Sequence, residues 1–287
     1  MSDFGVILID KPPNITSFDV VKKLRKITGI RKIGHTGTLD PFATGLLQIC
    51  IGKATRVVSK LTENDKTYLA TCQLGIKTDT GDLTGEIVMQ EESPEITKEE
   101  LKNIEPEVLK ISSQIPHKFS AIKVDGKRAY ELSRKKIEID LQPRPIKILE
   151  FSIEDYKDNE LTYSAQVSKG TYIRVLSETI AEKLGTIGTT KTLRRTTIGN
   201  LELKDAVKLE ALNTENWKNY LIPLNQVFSN LTKIHLATEQ QQLFKNGGYV
   251  ETPMKNEDEV IVLDNADKCI GFGIIKEGLL KPKLVFI

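Results

Sequence analysis

The residues most able to do chemistry lie in one stretch, Gly34-His35-Thr36-Gly37-Thr38-Leu39-Asp40-Pro41-Phe42-Ala43-Thr44-Gly45. Its only carboxylate is Asp40, and the proline that follows disfavours helical geometry at that position. Gly37 and Gly45 let the neighbouring chain turn sharply or approach a ligand closely. A carboxylate on such a stiff loop suits a nucleophile or base that must meet one atom of a large substrate. Without the catalytic role, the same pattern would be an aspartate in an Asx-type turn.

No other catalytic signature in the sequence competes with this loop. The sequence has no G-x-S-x-G, G-x-x-x-x-G-K-[ST], H-E-x-x-H or strand-linked G-x-G-x-x-G pattern, which argues against hydrolase, nucleoside-triphosphatase, zinc-peptidase and dinucleotide-binding classes. Its three histidines are too isolated to predict a metal site: His35, His117 and His235. Its three cysteines form no C-x-x-C pair and are expected to be buried, reduced thiols: Cys50, Cys72 and Cys269.

Regular elements are predicted on both sides of the loop and should hold it in place. Residues 5–9 predict a short strand that enters a proline-stiffened turn. A helix should follow, with Ser17 as its N-cap and Gly29 as its left-handed C-terminal residue. The apolar run 46–51 comes directly after the loop.

The rest of the chain mixes helices with alternating strands and lacks the regular βαβ repetition of a parallel sheet. Strands are expected at 68–74, 87–89, 119–124, 146–153, 161–168, 260–263, 269–275 and 284–287. Helices are expected after the Thr97 capping box and at 128–136 and 171–184. We predict an α+β fold with a mixed, mainly antiparallel sheet in a catalytic domain at 1–230, and a small β domain at 231–287.

The sequence resembles one family over almost its whole length. The opening GVILIDKP…TSFDVVKKLRKITGIRKIGHTGTLDPFATGLLQICIGKATR resembles that of the TruB family, the bacterial tRNA pseudouridine-55 synthases. Further motifs continue the resemblance in order: Asp65 to Tyr68, Leu74 to Asp82, Phe119 to Lys123, Lys169 to Arg174 and Leu193 to Arg195. Several linked motifs at the right spacing are far more specific than one alone.

The resemblance implies a set of site residues. It assigns catalysis to Asp40, stacking against the target base to Tyr68, pairing with the aspartate to Arg174 and a pocket wall to Leu193. It adds three weaker substrate-binding candidates: His35, Asp82 and Tyr172. From the residues alone, Tyr68 and Leu193 would be core residues and Arg174 an exposed helix residue. Because the helix dipole disfavours an arginine at a helix start, a carboxylate partner would explain Arg174, and we expect Asp40 to be ionised at neutral pH.

The resemblance also implies the reaction and the partner. Pseudouridine formation breaks the N1–C1′ bond of uridine and joins C5 to C1′, so no metal, redox carrier or other cofactor is expected. The uridine must be flipped out of its stack to be reached. Asp40 could attack C6, attack C1′ or remove the 2′ proton, and the sequence does not choose among these routes. The implied partner is the T-arm stem-loop of tRNA, and we expect a monomer with no obligate protein partner.

Charge is distributed unevenly along the chain, although the net charge is only +2. One basic segment spans 118–136 and carries Lys118, Lys123, Lys127, Arg128, Arg134, Lys135 and Lys136. It resembles an RNA-gripping insertion of the family near 118–145, although a solvated helix face is the alternative. A second run comprises Lys22, Lys23, Arg25, Lys26, Arg31 and Lys32, and a third Lys191, Arg194 and Arg195. No apolar run is long enough to span a membrane, and we expect a cytoplasmic protein.

The sequence departs from the family pattern in three places. Asn14 stands where the family usually has glycine, and asparagine tolerates the positive φ required there. His117-Lys118-Phe119 replaces a proline-rich approach to a tyrosine. The C-terminal part is short, and 271–273 with 281–283 resembles a reduced PUA-type RNA-binding domain.

Two other functions remain open from the sequence. One is a non-catalytic tRNA-binding or tRNA-folding protein that keeps this scaffold. Replacement of Asp40, Tyr68 or Arg174 would have indicated such a protein, and all three residues are present. A glycosidase would need two carboxylates flanking the bond, and no second acidic residue stands out near Asp40.

Overall fold

The computed structural model describes residues 4–120, 122–124, 126–135, 137 and 139–286. The strands are β1 (Gly5–Lys11), β2 (Ile33–His35), β3 (Thr44–Ile51), β4 (Lys66–Leu74), β5 (Ile76–Thr78), β6 (Ile87–Gln90), β7 (Ser113–Gln114), β8 (Lys123–Val124), β9 (Lys127–Arg128), β10 (Arg144–Pro145), β11 (Ile148–Lys157), β12 (Glu160–Val167), β13 (Gly188–Ile198), β14 (Leu201–Glu202), β15 (Val207–Lys208), β16 (Thr232–His235), β17 (Val250–Glu251), β18 (Glu257–Leu263), β19 (Cys269–Lys276) and β20 (Leu279–Val285). The α-helices are α1 (Ser17–Thr28), α2 (Val58–Thr62), α3 (Lys98–Leu109), α4 (Ala129–Arg134), α5 (Ile173–Lys183), α6 (Leu224–Val227) and α7 (Thr238–Lys245).

A nine-stranded mixed sheet forms the centre of the molecule, with the order β11-β12-β4-β13-β3-β1-β15 and with β14 and β2 paired to β13 and β3. Most neighbouring strands are antiparallel, and β13 with β3 and β1 with β15 are the parallel pairs among them. The predicted α+β class with a mainly antiparallel sheet is confirmed.

The two faces of this sheet are both buried, because side chains alternate along each strand. In β3, Leu47 and Ile49 pack on the face covered by α1, α3 and α5, and Leu46 and Cys50 pack on the other. The second face is covered by a five-stranded sheet, with the order β16-β18-β19-β20-β17.

The five-stranded sheet is built around a core of its own. In β18, Val260 and Val262 point to a cluster that includes Phe244 of α7. The intervening Ile261 and Leu263 pack against the central sheet. This double burial explains why the segment has a continuous apolar run.

Several local predictions differ from the structure. Thr16, not Ser17, caps α1 by accepting a hydrogen bond from the Asp19 amide at 3.0 Å, while the Ser17 hydroxyl bonds Leu39. The strand predicted at 119–124 is only Lys123–Val124, since Phe119 and Ser120 lie in a bend, and Ala121 lies outside the described residues. The predicted last strand begins earlier, at Leu279.

Other local predictions are confirmed. Gly29 ends α1 with a φ of 71°, and Asn14 has a φ of 64° in the turn after β1. The three cysteines are buried and free. The helix predicted at 128–136 is α4, and Lys136 lies outside the described residues. None of the helices in the described part of the chain has the length and apolarity needed to cross a bilayer.

Candidate active site

A cleft of about 840 Å³ opens beside the central sheet, and all seven site residues predicted from the sequence line it. They are His35, Asp40, Tyr68, Asp82, Tyr172, Arg174 and Leu193. They come from β2, the loop before β3, β4, the turn after β5, the start of α5 and β13. The fold therefore brings together residues that are separated by more than half of the chain.

The Asp40 loop is fixed by hydrogen bonds on both sides of the aspartate. The Leu39 amide donates to the Ser17 hydroxyl at 2.8 Å, and that hydroxyl in turn donates to the Leu39 carbonyl at 3.1 Å. The Asn14 amide donates to the Pro41 carbonyl at 2.8 Å, and the Ala43 amide to the Asp40 carbonyl at 3.1 Å. The backbone of the loop is therefore held before any substrate arrives, as catalysis by positioning requires.

Lys11 forms a buried clamp between the loop and the turn after β1. Its side chain is fully buried, and its Nζ donates to the carbonyls of Pro12, Ile15 and Pro41 at 2.9, 2.8 and 3.2 Å. Burial lowers the pKa of Lys11 to about 8, and the nearby Asp40 carboxylate partly opposes that shift. Lys11 therefore contributes positive charge to the site mainly below pH 8.

Gly45 lets the loop approach β13 closely. Its φ is 99°, and a Cβ at this position would lie 2.3 Å from the Arg195 carbonyl oxygen. The Arg195 side chain is 1% exposed and donates to the carbonyls of Leu46 at 2.7 Å and Gly37 at 3.1 Å. Gly45 thus allows a close approach to the backbone of β13, whereas the sequence predicted a sharp turn or a close approach to a ligand.

Arg174 connects the Asp40 loop to two other segments. Its Nε lies 2.9 Å from Oδ2 of Asp40. Its Nη1 and Nη2 donate to the carbonyls of Thr80 at 2.6 Å and Phe119 at 3.0 Å. The arginine is 4% exposed, so it is not the exposed helix residue that the sequence alone would have allowed.

Asp82 is a second buried carboxylate near the same guanidinium. Its Oδ2 lies 3.6 Å from Nη1 of Arg174, and its Oδ1 accepts hydrogen bonds from the Thr84 amide and hydroxyl. The Asp82 side chain is 6% exposed, whereas 32% of the Asp40 side chain is exposed. Asp40 is thus the carboxylate of the pair that a substrate in the cleft can reach.

Two opposing effects set the pKa of Asp40. Burial raises the pKa above the ordinary aspartate value, and the nearby Asp82 charge adds to the rise, while Arg174 and Lys11 oppose it. The net direction is upward, which differs from what an ion pair alone would give. Arg174 is therefore the group that most favours the ionised form, and the expected ionisation at neutral pH depends on it.

Tyr68 and Leu193 form an apolar wall on neighbouring strands. Tyr68 is 9% exposed, and Leu193 is 7% exposed and lies opposite Ala70 in the register of β4 and β13. The Tyr68 hydroxyl accepts a long hydrogen bond of 3.5 Å from Arg195. The exposed part of each side chain faces the cleft, so a flat ligand can contact both.

The remaining candidates, His35 and Tyr172, also line the cleft. His35 ends β2, where it pairs with Ile49. Tyr172 precedes α5, and burial raises the pKa of its phenol while Ser120 opposes that shift. His117, which the sequence did not place in the site, accepts a bond from the Phe119 amide at 3.2 Å. Burial and the Arg174 charge lower its pKa to about 3, so it is neutral at physiological pH.

Sequence reasoning missed three buried cations of the site as functional groups: Lys11, Lys66 and Arg195. Lys66 is 6% exposed, lines the cleft and has a pKa that burial lowers to about 8. Each of the three belongs to a motif that was recognised, but sequence gives no sign that a lysine or arginine side chain will be buried. No cluster suited to a metal ion is found among the residues that the structure describes.

Comparisons with known proteins agree on the family. The family model for the N-terminal domain of TruB family pseudouridylate synthases matches residues 25–173. The protein named tRNA pseudouridine synthase B of Clostridium tetani is 39% identical, with 98% of this chain and 99% of that protein covered. Proteins of the same name are 40% identical in Oenococcus oeni, over 99% of this chain and 98% of the relative, and 37% identical in Aquifex aeolicus, over 99% of each.

Solved structures support the fold independently. A chain in the crystal structure of a Cbf5-Nop10-Gar1 complex matches 99% of this chain and 85% of its own length, with a TM-score of 0.74 and 24% identity. At that identity the match shows the fold alone. The sequence matches and the fold together show that this chain belongs to the TruB family and is a pseudouridine synthase.

Proposed function

We propose that this enzyme converts uridine 55 in the T-arm of tRNA to pseudouridine, with Asp40 as the catalytic carboxylate. The curated relatives are named for tRNA, which supports tRNA as the substrate class. The observation that carries the proposal is the accessible Asp40 carboxylate, which is held 2.9 Å from a buried arginine in a cleft of about 840 Å³. That volume admits a nucleotide that has been flipped out of its helix.

The residues of the cleft have separate tasks in this proposal. Asp40 attacks C1′ or C6, or removes the 2′ proton, and the raised pKa makes its carboxylate a stronger base than an exposed aspartate. Arg174 keeps the carboxylate charged and oriented. Tyr68 and Leu193 contact the uracil while it is detached from the ribose, so that C5 can be presented to C1′.

RNA outside the cleft is proposed to contact two further regions. The first is the basic segment 118–136, in which Lys118, Lys127 and Lys135 are exposed among the described residues. The second is the part at 231–287, which we propose as a small PUA-like RNA-binding domain. His35 and Tyr172, which line the cleft, would contact the opened loop of the T-arm.

The test is chemical mapping of pseudouridine in a tRNA transcript treated with the purified enzyme. We expect pseudouridine at position 55 and at no other uridine, and we expect the same product in an isolated T-arm stem-loop. A transcript with cytidine at position 55 is the matched control and should yield no product. Conversion of a different tRNA uridine would disprove the proposed position, and conversion of free uridine would favour a nucleoside-acting enzyme.

A further inference from the structure

Phe18 is an exposed aromatic residue at the edge of the cleft. It is the second residue of α1, and it is 51% exposed although its neighbour Ser17 is buried. The side chain contributes to the lining of the cleft that contains Asp40. The ring is thus presented to solvent at the entrance to the proposed catalytic site.

Two cations of the same helix lie against this ring. Nζ of Lys22 is 5.1 Å and Cζ of Arg25 is 5.7 Å from the ring centroid. Asp19 binds Lys22 at 3.1 Å and accepts hydrogen bonds from Thr16, so the first turn is ordered around the ring. Further exposed basic residues follow along the helix and in the segment after it: Lys23, Lys26, Arg31 and Lys32.

A single exposed phenylalanine on a protein surface is ordinary and by itself indicates nothing. Here the ring borders the cleft, has cations beside it and begins a basic surface. Proteins that bind single-stranded nucleic acid combine these same features, because bases stack on aromatic rings while cations contact the phosphates. Tyr68 cannot serve this purpose for a second base, since it is 9% exposed and lies inside the cleft.

We propose that Phe18 stacks against a nucleobase next to the flipped uridine, while Lys22 and Arg25 contact the adjoining phosphates. This inference rests on the proposed function and extends it to a second nucleotide. Phe18 is a positioning residue in this arrangement, because it holds the RNA strand and does not touch the reacting atoms.

The first test compares Phe18→Ala, Phe18→Leu and Phe18→Trp in binding to a T-arm stem-loop. Stacking contributions of the usual size predict a Kd increase of about 5- to 150-fold for Phe18→Ala, with the single-turnover rate at saturating RNA within about two-fold of the unmodified enzyme. Phe18→Trp should retain the affinity, and Phe18→Leu should lose most of it because leucine has no flat ring. Leu149→Ala, at a 43% exposed site outside the cleft lining, is the control and should bind normally.

The second test identifies the stacked base. Stem-loops with one abasic nucleotide at each loop position are bound to the unmodified enzyme and to Phe18→Ala. At one loop position, loss of the base should weaken RNA binding by the unmodified enzyme but not by Phe18→Ala, because the variant already lacks the stacking contact. Full affinity of Phe18→Ala or of Phe18→Leu, or additive effects at every abasic position, would overturn the inference.

The two proposals fail in different ways. If the unmodified enzyme produces no pseudouridine, the proposed function fails whatever the Phe18 variants do. If it produces pseudouridine and the Phe18 variants bind like the unmodified enzyme, only the stacking site is excluded.

Discussion

Nε of Arg174 lies 2.9 Å from Oδ2 of Asp40, and the same guanidinium donates to the backbone carbonyls of Thr80 and Phe119. One buried arginine therefore joins the Asp40 loop to the turn after β5 and to the bend before β8. The carboxylate that it pairs with is the more exposed partner, at 32% against 4% for the arginine side chain. Arg174 thus holds these segments together and also serves as the electrostatic partner of Asp40, the proposed catalytic group.

Replacement of Arg174 should change the pH dependence of the reaction. Because the arginine lowers the pKa of Asp40 against the rise caused by burial, Arg174→Met should raise that pKa further. We expect the acidic limb of the single-turnover rate profile to move to higher pH, and the rate at pH 7 to fall by about 100-fold or more. Arg174→Lys keeps the charge and should move the limb less. If both variants retain the limb of the unmodified enzyme, Arg174 does not control the ionisation of Asp40.

Lys11 should make a pH-dependent contribution to stability. Its pKa is lowered from 10.5 to about 8 in the folded protein, so between those values the unfolded chain binds more protons than the folded one. Stability from this group therefore rises with pH across that window and is lost as the pH falls through 8. Lys11→Met lacks this term, and its free energy of unfolding should fall further below that of the unmodified protein at pH 10 than at pH 8. Urea unfolding at both values measures the difference, and a gap that narrows with pH would contradict the assignment.

Gly45 should tolerate no side chain. A Cβ would lie 2.3 Å from the Arg195 carbonyl oxygen, and the φ of 99° is itself unfavourable for alanine. Gly45→Ala should cost about 3 kcal/mol or more of stability and should displace the Asp40 loop. Gly185→Ala is the matched control, since Gly185 has a φ of 76° but open space around it, and it should cost about 1 kcal/mol. If thermal denaturation shows equal losses of stability for the two variants, the close approach of Gly45 to β13 is unimportant.

The basic segment 118–136 should bind RNA phosphates. Changing Lys118, Lys127 and Lys135 together to glutamate should weaken tRNA binding and reduce the slope of log Kd against log salt by about two, as expected for loss of roughly three phosphate contacts. The control makes the same charge change on α3 and at the residue that follows it, at the exposed Lys98, Lys102 and Lys110. An unchanged slope in the first variant would exclude phosphate contacts by these three lysines. The same change of slope in the control would indicate only a general charge effect.

The sequence was sufficient to predict backbone conformation where a pattern of a few neighbouring residues determines it. The φ of 64° at Asn14 and the left-handed Gly29 follow from turn chemistry within a few residues. The cap of α1 was misplaced by one residue because Thr16 and Ser17 are both good caps, and the choice depends on a bond between Ser17 and the distant Leu39.

The burial of charged groups could not be predicted in the same way. The buried Arg195 side chain donates to carbonyl groups that are distant in sequence, at Gly37 and Leu46. Buried Lys11 donates to the distant Pro41 carbonyl as well as to two local ones, and such convergence exists only in the folded chain. The upward shift in the pKa of Asp40 has the same origin, because it depends on burial and on Asp82 from another loop. Family resemblance supplied the residues of the site, but their electrostatics required the structure.

The most direct test of the proposed role of Asp40 is the rate of pseudouridine formation by Asp40→Asn in a T-arm stem-loop under single-turnover conditions. Asparagine keeps the size of the side chain, so circular dichroism and the Kd for the RNA should remain close to those of the unmodified enzyme. We expect no detectable pseudouridine, which corresponds to a loss of at least about 100-fold. Pseudouridine formation at a rate within about ten-fold of the unmodified enzyme would contradict the assignment of Asp40 as the catalytic carboxylate.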